Sequence, residues 1–248
     1  MDNKIDKLKE LLSFTNSLLV SMEQSIKSTP ESNVWKHSSY KIYVRKYNQL
    51  IDELSKINEG TTLLDYYDLA KIPSSSNTVA SQQKNYFDSV HSNLQMLKAF
   101  LEGKVGFTED KILQIKDFLV SNLRRATFKS PDREIEVQDT IEQLFIGKGM
   151  MKGVDYDREV GRIKISIKEV IPDFILPKLG LAVEVKLSKS KTKSKTIVDE
   201  INADIMSYSK QYSSILFLIY DIGSIRDELE FKDDLEINDG VSVIIVKH

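Results

Sequence analysis

The sequence predicts an all-α helical module over residues 1–128 followed by an α/β domain over residues 129–248, making the whole chain α+β. Three observations carry this reading. Apolar residues in the first half recur every three or four positions, the period of a helix. The second half holds short alternating or unbroken apolar runs, the patterns of half-buried and fully buried strands. Between them, around Thr127–Ser130, the apolar period lapses and Ser130-Pro131 offers a fresh helix start.

Taken in order, Ile5, Leu8, Leu11, Leu12, Leu18, Leu19 and Met22 predict a first helix that ends before Thr29-Pro30. Trp35, Tyr40, Tyr43, Val44, Tyr47, Leu50, Ile51, Leu54 and Ile57 predict a second. Its aromatic stripe from Trp35 to Tyr47 reads as core, because aromatic side chains carry large apolar area. The polar stretch Ile72–Asn77 reads as an exposed loop. Tyr86, Phe87, Val90, Leu94, Leu97 and Leu101 mark a third helix, and Ile112, Ile115, Phe118, Leu119 and Leu123 a fourth. No segment repeats at a fixed period.

In the second half, Ser130 is the expected N-cap and Pro131 the first helical residue of a helix carrying Val137, Ile141, Leu144 and Phe145. Gly147-Lys148-Gly149 ends it. Strands are expected around Tyr156–Val160 and Arg162–Ile167. Val170–Leu176 and Leu181–Leu187 then form a hairpin about the turn Pro177-Lys178-Leu179-Gly180. Ile197, Val198, Ile201, Ile205, Tyr208 and Tyr212 mark another helix. Ser214–Tyr220 is an almost unbroken apolar run, expected as a strand buried on both faces, and Val241–Val246 is a further strand.

Composition narrows the chemistry. The chain has no cysteine, which excludes disulfides and thiolate metal sites and suits a reducing, cytoplasmic setting. Its three histidines, His37, His91 and His248, are too scattered for a histidine metal centre or a Ser-His-Asp triad. No apolar run approaches the roughly 20 residues of a membrane span, and Met1–Lys7 is too charged for a secretory signal. With a formal net charge of −2, any affinity for nucleic acid must come from a local basic patch.

The chemistry concentrates on the expected hairpin. Asp173 precedes Glu184 by eleven residues, in Ile171-Pro172-Asp173-Phe174 and Ala182-Val183-Glu184-Val185-Lys186. On a strand Glu184 and Lys186 share one face, with Val183 and Val185 on the other. The turn can set Asp173 beside Glu184, and two such carboxylates repel unless a cation lies between them. An oxygen-only ligand set favours Mg²⁺ or Mn²⁺ over zinc. An adjacent lysine suits a phosphodiester substrate, since it can hold a phosphate oxygen or orient the attacking water.

Pro172-Asp173 followed by Glu184-Val185-Lys186 resembles the motif of the PD-(D/E)XK nuclease superfamily. The resemblance implies a restriction-endonuclease-like αβββαβ core, and the residues give the same succession of helix, strands, helix and strand with additional strands. It also implies a metal-dependent nuclease, with DNA cleavage in restriction or antiviral defence as the leading expectation. A catalytically inactive binding subunit and an RNA-directed nuclease are the alternatives. Asp173, Glu184 and the backbone carbonyl of Val185 are the expected metal ligands, and Lys186 would position the water. The resemblance further implies an acidic residue on the first core helix. Glu134 is the candidate, because it shares the face of Val137 and Ile141, although a first-turn glutamate also suits the helix macrodipole. Glu136 and Glu142 are expected in solvent.

Lys186–Lys195 alternates five lysines with small hydroxyl residues and reads as a flexible basic loop. Lys189, Lys191, Lys193 and Lys195 are the expected phosphate contacts, gripping backbone without reading bases, with duplex DNA as the expected partner. On the next helix Asn202 and Asp199 are candidates for a further polar residue near the metal, and Arg158 and Lys168 are open between phosphate and local pairing. Arg124-Arg125 suits either phosphate or a helix C-terminus. The helical module is open between nucleic-acid binding, a partner protein and a homodimer.

Overall fold

The computed structural model describes residues 4–57, 64–165 and 168–248. The chain forms two compact units, one over Asp6–Phe107 and the other built mainly from Thr108–His248.

The first unit is helical. Helices α1 (Lys4–Lys27) and α2 (Tyr40–Ser55) and the first part of α3 (Ala80–Ala126) supply its core. Leu8, Leu11 and Met22 pack with Tyr40, Val44 and Tyr47 and with Phe87, Val90, Leu94 and Leu97. The core thus uses the residues whose three- and four-residue spacing marked them. Trp35 departs from expectation. It lies in a turn before α2, 55% exposed, because the chain after Pro30 runs through successive tight turns (Lys36 N to Asn33 O, Ser38 N to Trp35 O, Tyr40 N to His37 O) and becomes helical only at Tyr40.

The expected third and fourth helices are one continuous helix, α3, of 47 residues. The apolar positions that mark the two expected helices stop at Leu101 and resume at Ile112, and Gly103 and Gly106, of a type that weakens a helix interior, lie in that gap. Val105 keeps the buried stripe going between Leu101 and Ile112, so the helix continues through them. The expected division at 128/129 falls after α3, whereas the compact units divide inside it, between Phe107 and Thr108. A Cβ at Gly103 or Gly106 would meet nothing within 4 Å among the described residues. Gly103→Ala and Gly106→Ala are therefore each expected to stabilise the protein by about 0.5–1 kcal/mol, read as a raised midpoint in thermal or urea unfolding. A lowered midpoint would show that these glycines serve a conformation other than the straight helix.

The second unit is a mixed sheet covered on both faces. After α4 (Glu134–Gly147) come β1 (Asp157–Arg158), β2 (Ile163–Ile165), β3 (Lys168–Val170), β4 (Phe174–Leu176) and β5 (Leu181–Ser188). Then follow α5 (Lys191–Tyr208), β6 (Ser214–Asp221), α6 (Glu228–Asp233) and β7 (Val241–Lys247). The sheet order is β1-β4-β5-β6-β7, antiparallel from β1 to β5 and parallel from β5 to β7. This is the expected restriction-endonuclease-like αβββαβ arrangement with an extra strand. Val183, Val185, Leu187, Leu216 and Leu218 face α4 and the end of α3, through Val137, Ile141, Phe145 and Leu119. Ala182, Phe217, Ile219 and Val243 face α5 through Ile197, Ile201 and Ile205.

Three local expectations change. The helix after Pro131 begins at Glu134, with Arg133 rather than Ser130 as its cap residue, and Glu136 reaches back to accept from the Asp132 N–H at 3.0 Å. The expected strand Val170–Leu176 is split. Its start pairs with β2 as a separate two-stranded ribbon and its end pairs with β5, because Pro172 has no N–H to continue a ladder. Residues 166 and 167 of the expected Arg162–Ile167 strand lie outside the described residues. The hairpin turn stands as expected: Pro177–Leu179 forms one 3-10 turn, and Gly180 closes it at φ 58°, a conformation natural to glycine.

Candidate active site

The site is built on the edge of β5 that β4 leaves uncovered. Strand β4 ends its pairing at Phe174 opposite Val183, so among the described residues the backbone of Val185 and Leu187 beyond it has no strand partner on that side. Acidic side chains take the place of a strand. Asp173, just before β4, accepts the Val185 N–H on Oδ2 at 2.7 Å, and Glu134, at the start of α4, accepts the Leu187 N–H on Oε1 at 3.1 Å. A strand residue's N–H and C=O point to the same edge, so the Val185 carbonyl also faces this site.

Alternation along β5 turns Glu184 and Lys186 towards α5, where both are buried. Glu184 Oε1 accepts from Lys186 Nζ at 2.9 Å, and Oε2 accepts from the Tyr208 hydroxyl at 2.8 Å and the Asp173 N–H at 3.3 Å. Lys186 Nζ also lies 3.0 Å from Asp204 Oδ2 and 3.7 Å from Glu200 Oε2. Asp173 Oδ1 accepts from Gln138 Nε2 at 2.7 Å. Asp173, Glu184, Val185, Lys186 and Glu134 are thus brought together.

Electrostatics mark the pair of carboxylates as frustrated. Burial, and then the charge of Glu184, push Asp173 up to about 7. Glu184 is also raised, chiefly by burial, against the opposing pull of Lys186. Burial works against the charge of Lys186, but Glu184 and Asp204 outweigh it and hold the ammonium more firmly protonated than usual. Burial likewise raises Tyr208, keeping it a hydrogen-bond donor. Two buried carboxylates that disfavour joint ionisation suit a divalent cation, which would offset both. Among the described residues no three His, Cys, Asp or Glu side chains gather to hold a metal ion. The donors on offer are one oxygen each from Asp173 and Glu184 and the Val185 carbonyl. That partial set fits Mg²⁺, which usually keeps several waters and few protein ligands.

The other candidates are placed differently. Lys189–Lys195 is not a loop: α5 starts at Lys191, and the N-cap Ser190 accepts the Lys193 N–H on its side chain. Alternating lysine and hydroxyl residues hid a helix start whose cap is the serine itself. Lys189 pairs with Asp132 at 3.2 Å and Lys193 with Glu200 at 2.9 Å, while Lys195 is exposed. The side chains of Lys191 and Lys168 lie outside the described set. Arg158 is taken up locally, by Asp139 and Glu142 at 2.7 Å each and by the Gln138 oxygen at 3.3 Å. Glu142 is accordingly paired rather than in solvent, holding Lys152 as well.

Asn202 and Asp199 are exposed, and the residues of α5 that meet the site are Glu200, Asp204 and Tyr208. A signal for them existed: 197, 201, 205 and 208 are the buried stripe of α5, and 200 and 204 flank it. Gln138 carried the same signal, four residues after Glu134 and one after Val137.

Residues 154–248 match the model of the DpnII-MboI restriction endonucleases (REase_DpnII-MboI). The matched segment contains Asp173, Glu184 and Lys186, and it supports the nuclease resemblance on which they were chosen. Neither the curated proteins nor the solved structures provide a match. Among the described residues no helix is long and apolar enough to cross a membrane.

Proposed function

We propose that this chain is a divalent-metal-dependent endonuclease that hydrolyses phosphodiester bonds in duplex DNA, as part of restriction or antiviral defence. One observation carries the proposal: Asp173, Glu184 and Lys186 converge on one uncovered strand edge inside the segment similar to restriction endonucleases. Asp173, Glu184 and the Val185 carbonyl would hold the cation. Mg²⁺ or Mn²⁺ there would offset the paired carboxylates and the charge growing on the phosphate. Lys186, oriented by Asp204, supplies a charged donor to the attacking water or the phosphate oxygen. Tyr208 and Gln138 fix the two carboxylates by donating to Glu184 and Asp173. Glu134 adds negative charge beside the site and ties α4 to β5.

The test is incubation of the purified protein with duplex DNA, single-stranded DNA and RNA, each with Mg²⁺, Mn²⁺ or EDTA. Cleavage of duplex DNA with either ion and none in EDTA is the expected result. Cleavage confined to RNA would move the substrate, and binding without cleavage under every condition would make the fold a binding subunit.

The start of α5 gives the DNA-backbone contact, since lysines there add to the positive end of the helix macrodipole. Replacing Lys189, Lys191, Lys193 and Lys195 with glutamine keeps helix propensity and removes four charges. Affinity is expected to fall, and the slope of log affinity against log salt to become shallower by roughly 0.9 for each phosphate that is no longer neutralised. The fall should be similar for unrelated sequences. An unchanged salt slope would place the DNA-backbone contact elsewhere on the chain.

A further inference from the structure

We infer that Glu200 couples the grip on the DNA backbone to the orientation of Lys186, as a positioning carboxylate shared between Lys193 and Lys186; the inference rests on the endonuclease reading above. Lys193, Glu200 and Asp204 are spaced seven and four residues apart on α5, so they lie along one side of the helix. Glu200 uses both oxygens: Oε1 lies 2.9 Å from Lys193 Nζ and Oε2 lies 3.7 Å from Lys186 Nζ. Its exposure sits between the two environments. The Lys193 and Glu200 side chains are 37% and 35% exposed, whereas that of Lys186 is 10% exposed.

The relative strength of these pairs sets the direction of coupling. A part-exposed ion pair is weak and yields readily to a competing phosphate. The buried pair of Lys186 with Asp204 resists separation, because it leaves a charge uncompensated, and Glu184 can leave Lys186 only where a cation takes its place. When a DNA phosphate draws Lys193 away, Glu200 keeps Lys186 as its remaining cationic partner and closes on it. This matters because Glu184 is asked to do two things. It holds Lys186 in the structure described, and it must turn an oxygen to the cation. With Glu200 engaged, Lys186 retains two carboxylates from α5 and stays aimed after Glu184 lets go. Substrate on the basic turn thereby completes the site. The groups facing the Lys186 ammonium are Glu184 from its own strand and Asp204 and Glu200 from α5.

Two measurements on the full chain test this. In EDTA, where no cleavage is expected, a short DNA duplex is titrated into protein labelled with ¹⁵N at the lysine side chains, with the Lys186 signal assigned from Lys186→Arg. Duplex binding is expected to shift that signal in the wild type, and the shift is expected to vanish in Lys193→Gln and in Glu200→Gln. With Mg²⁺, Glu200→Gln is expected to lower kcat at least about fivefold, the lower end of coupling between sites, with little change in KM. Lys193→Gln frees Glu200 without substrate, so its Lys186 signal is expected at the duplex-bound position before any DNA is added, with KM raised by the lost phosphate contact. Adding Glu200→Gln to it should lower kcat as far as Glu200→Gln alone, and Lys193→Arg should recover the wild-type KM. A duplex that binds and is cleaved while the Lys186 signal stays still, or a duplex-free Lys193→Gln variant whose Lys186 signal matches that of the duplex-free wild type, would overturn the coupling alone. A wild type that binds no duplex would overturn the endonuclease reading and the coupling with it.

Discussion

Asp173→Ala, Glu184→Ala and Lys186→Ala are each expected to abolish metal-dependent cleavage. For Lys186, loss of one charged donor aimed at developing charge costs about 10²–10³-fold in rate. The carboxylates should cost more, since among the described residues no cluster of three acidic or histidine side chains is placed to hold the cation if one of the two is lost. The variants should differ in stability in a way that identifies each role. Removing Asp173 relieves its repulsion with Glu184 but strips the Val185 N–H and Gln138 of their acceptor. Removing Lys186 leaves Glu184 and Asp204 buried without their cation, a change of about 3–5 kcal/mol where the partners cannot protonate. Lys186→Arg should keep the fold while losing much of the rate. Single-turnover cleavage and circular-dichroism melts separate these outcomes, and wild-type-like cleavage by any of the three alanine variants sinks the assignment.

Without divalent metal, stability is expected to fall as pH rises through about 7. Asp173 is raised from 3.8 to about 7 in the folded protein, first by burial and then by Glu184, and Glu184 is raised as well. The folded state thus binds protons that the unfolded chain has already released. This contribution is present in full below the unfolded value, shrinks as pH climbs, and is gone once pH has passed the folded value. A shift of this size corresponds to stability on the order of a few kcal/mol. The raised Lys186 titrates far above this window and leaves the sign unchanged. Mg²⁺ should restore the loss, so its thermal shift should be larger at pH 8 than at pH 5. Asp173→Asn should flatten the dependence in EDTA. A melting temperature that is level from pH 5 to 8 in EDTA, with an equal Mg²⁺ effect at both ends, would refute the frustrated carboxylate pair.

The parts of the molecule that could be read from the sequence share a short reach. Asp173, Glu184 and Lys186 belong to one local turn, so the two-residue alternation of a strand and one Pro-Lys-Leu-Gly turn suffice to bring them together. Ser214–Tyr220 and Val241–Val246 were evident because strands covered on both faces have no polar side to show. Errors arose where local signals competed with packing. A gap in the marked apolar positions between Leu101 and Ile112 suggested two helices where α3 is continuous, and a lysine-rich run suggested a flexible loop where Ser190 caps a helix.

The sequence alone indicated a helical first part and a later α/β part, the buried strands of the sheet and the closeness of the acidic–basic triad, since each follows from residues close along the chain and from side-chain period. Only tertiary structure decided which residues surround that triad. Gln138 reaches Asp173 across 35 positions and Tyr208 reaches Glu184 across 24, and such meetings depend on how α4 and α5 are set against β5. Asp204 and Glu200, rather than Asn202 or Asp199, flank Lys186 because burial of Ile197, Ile201 and Ile205 rotates that side of α5 inward. A helix presents polar residues all around its free surface, and only the face it buries determines which of them meets another element.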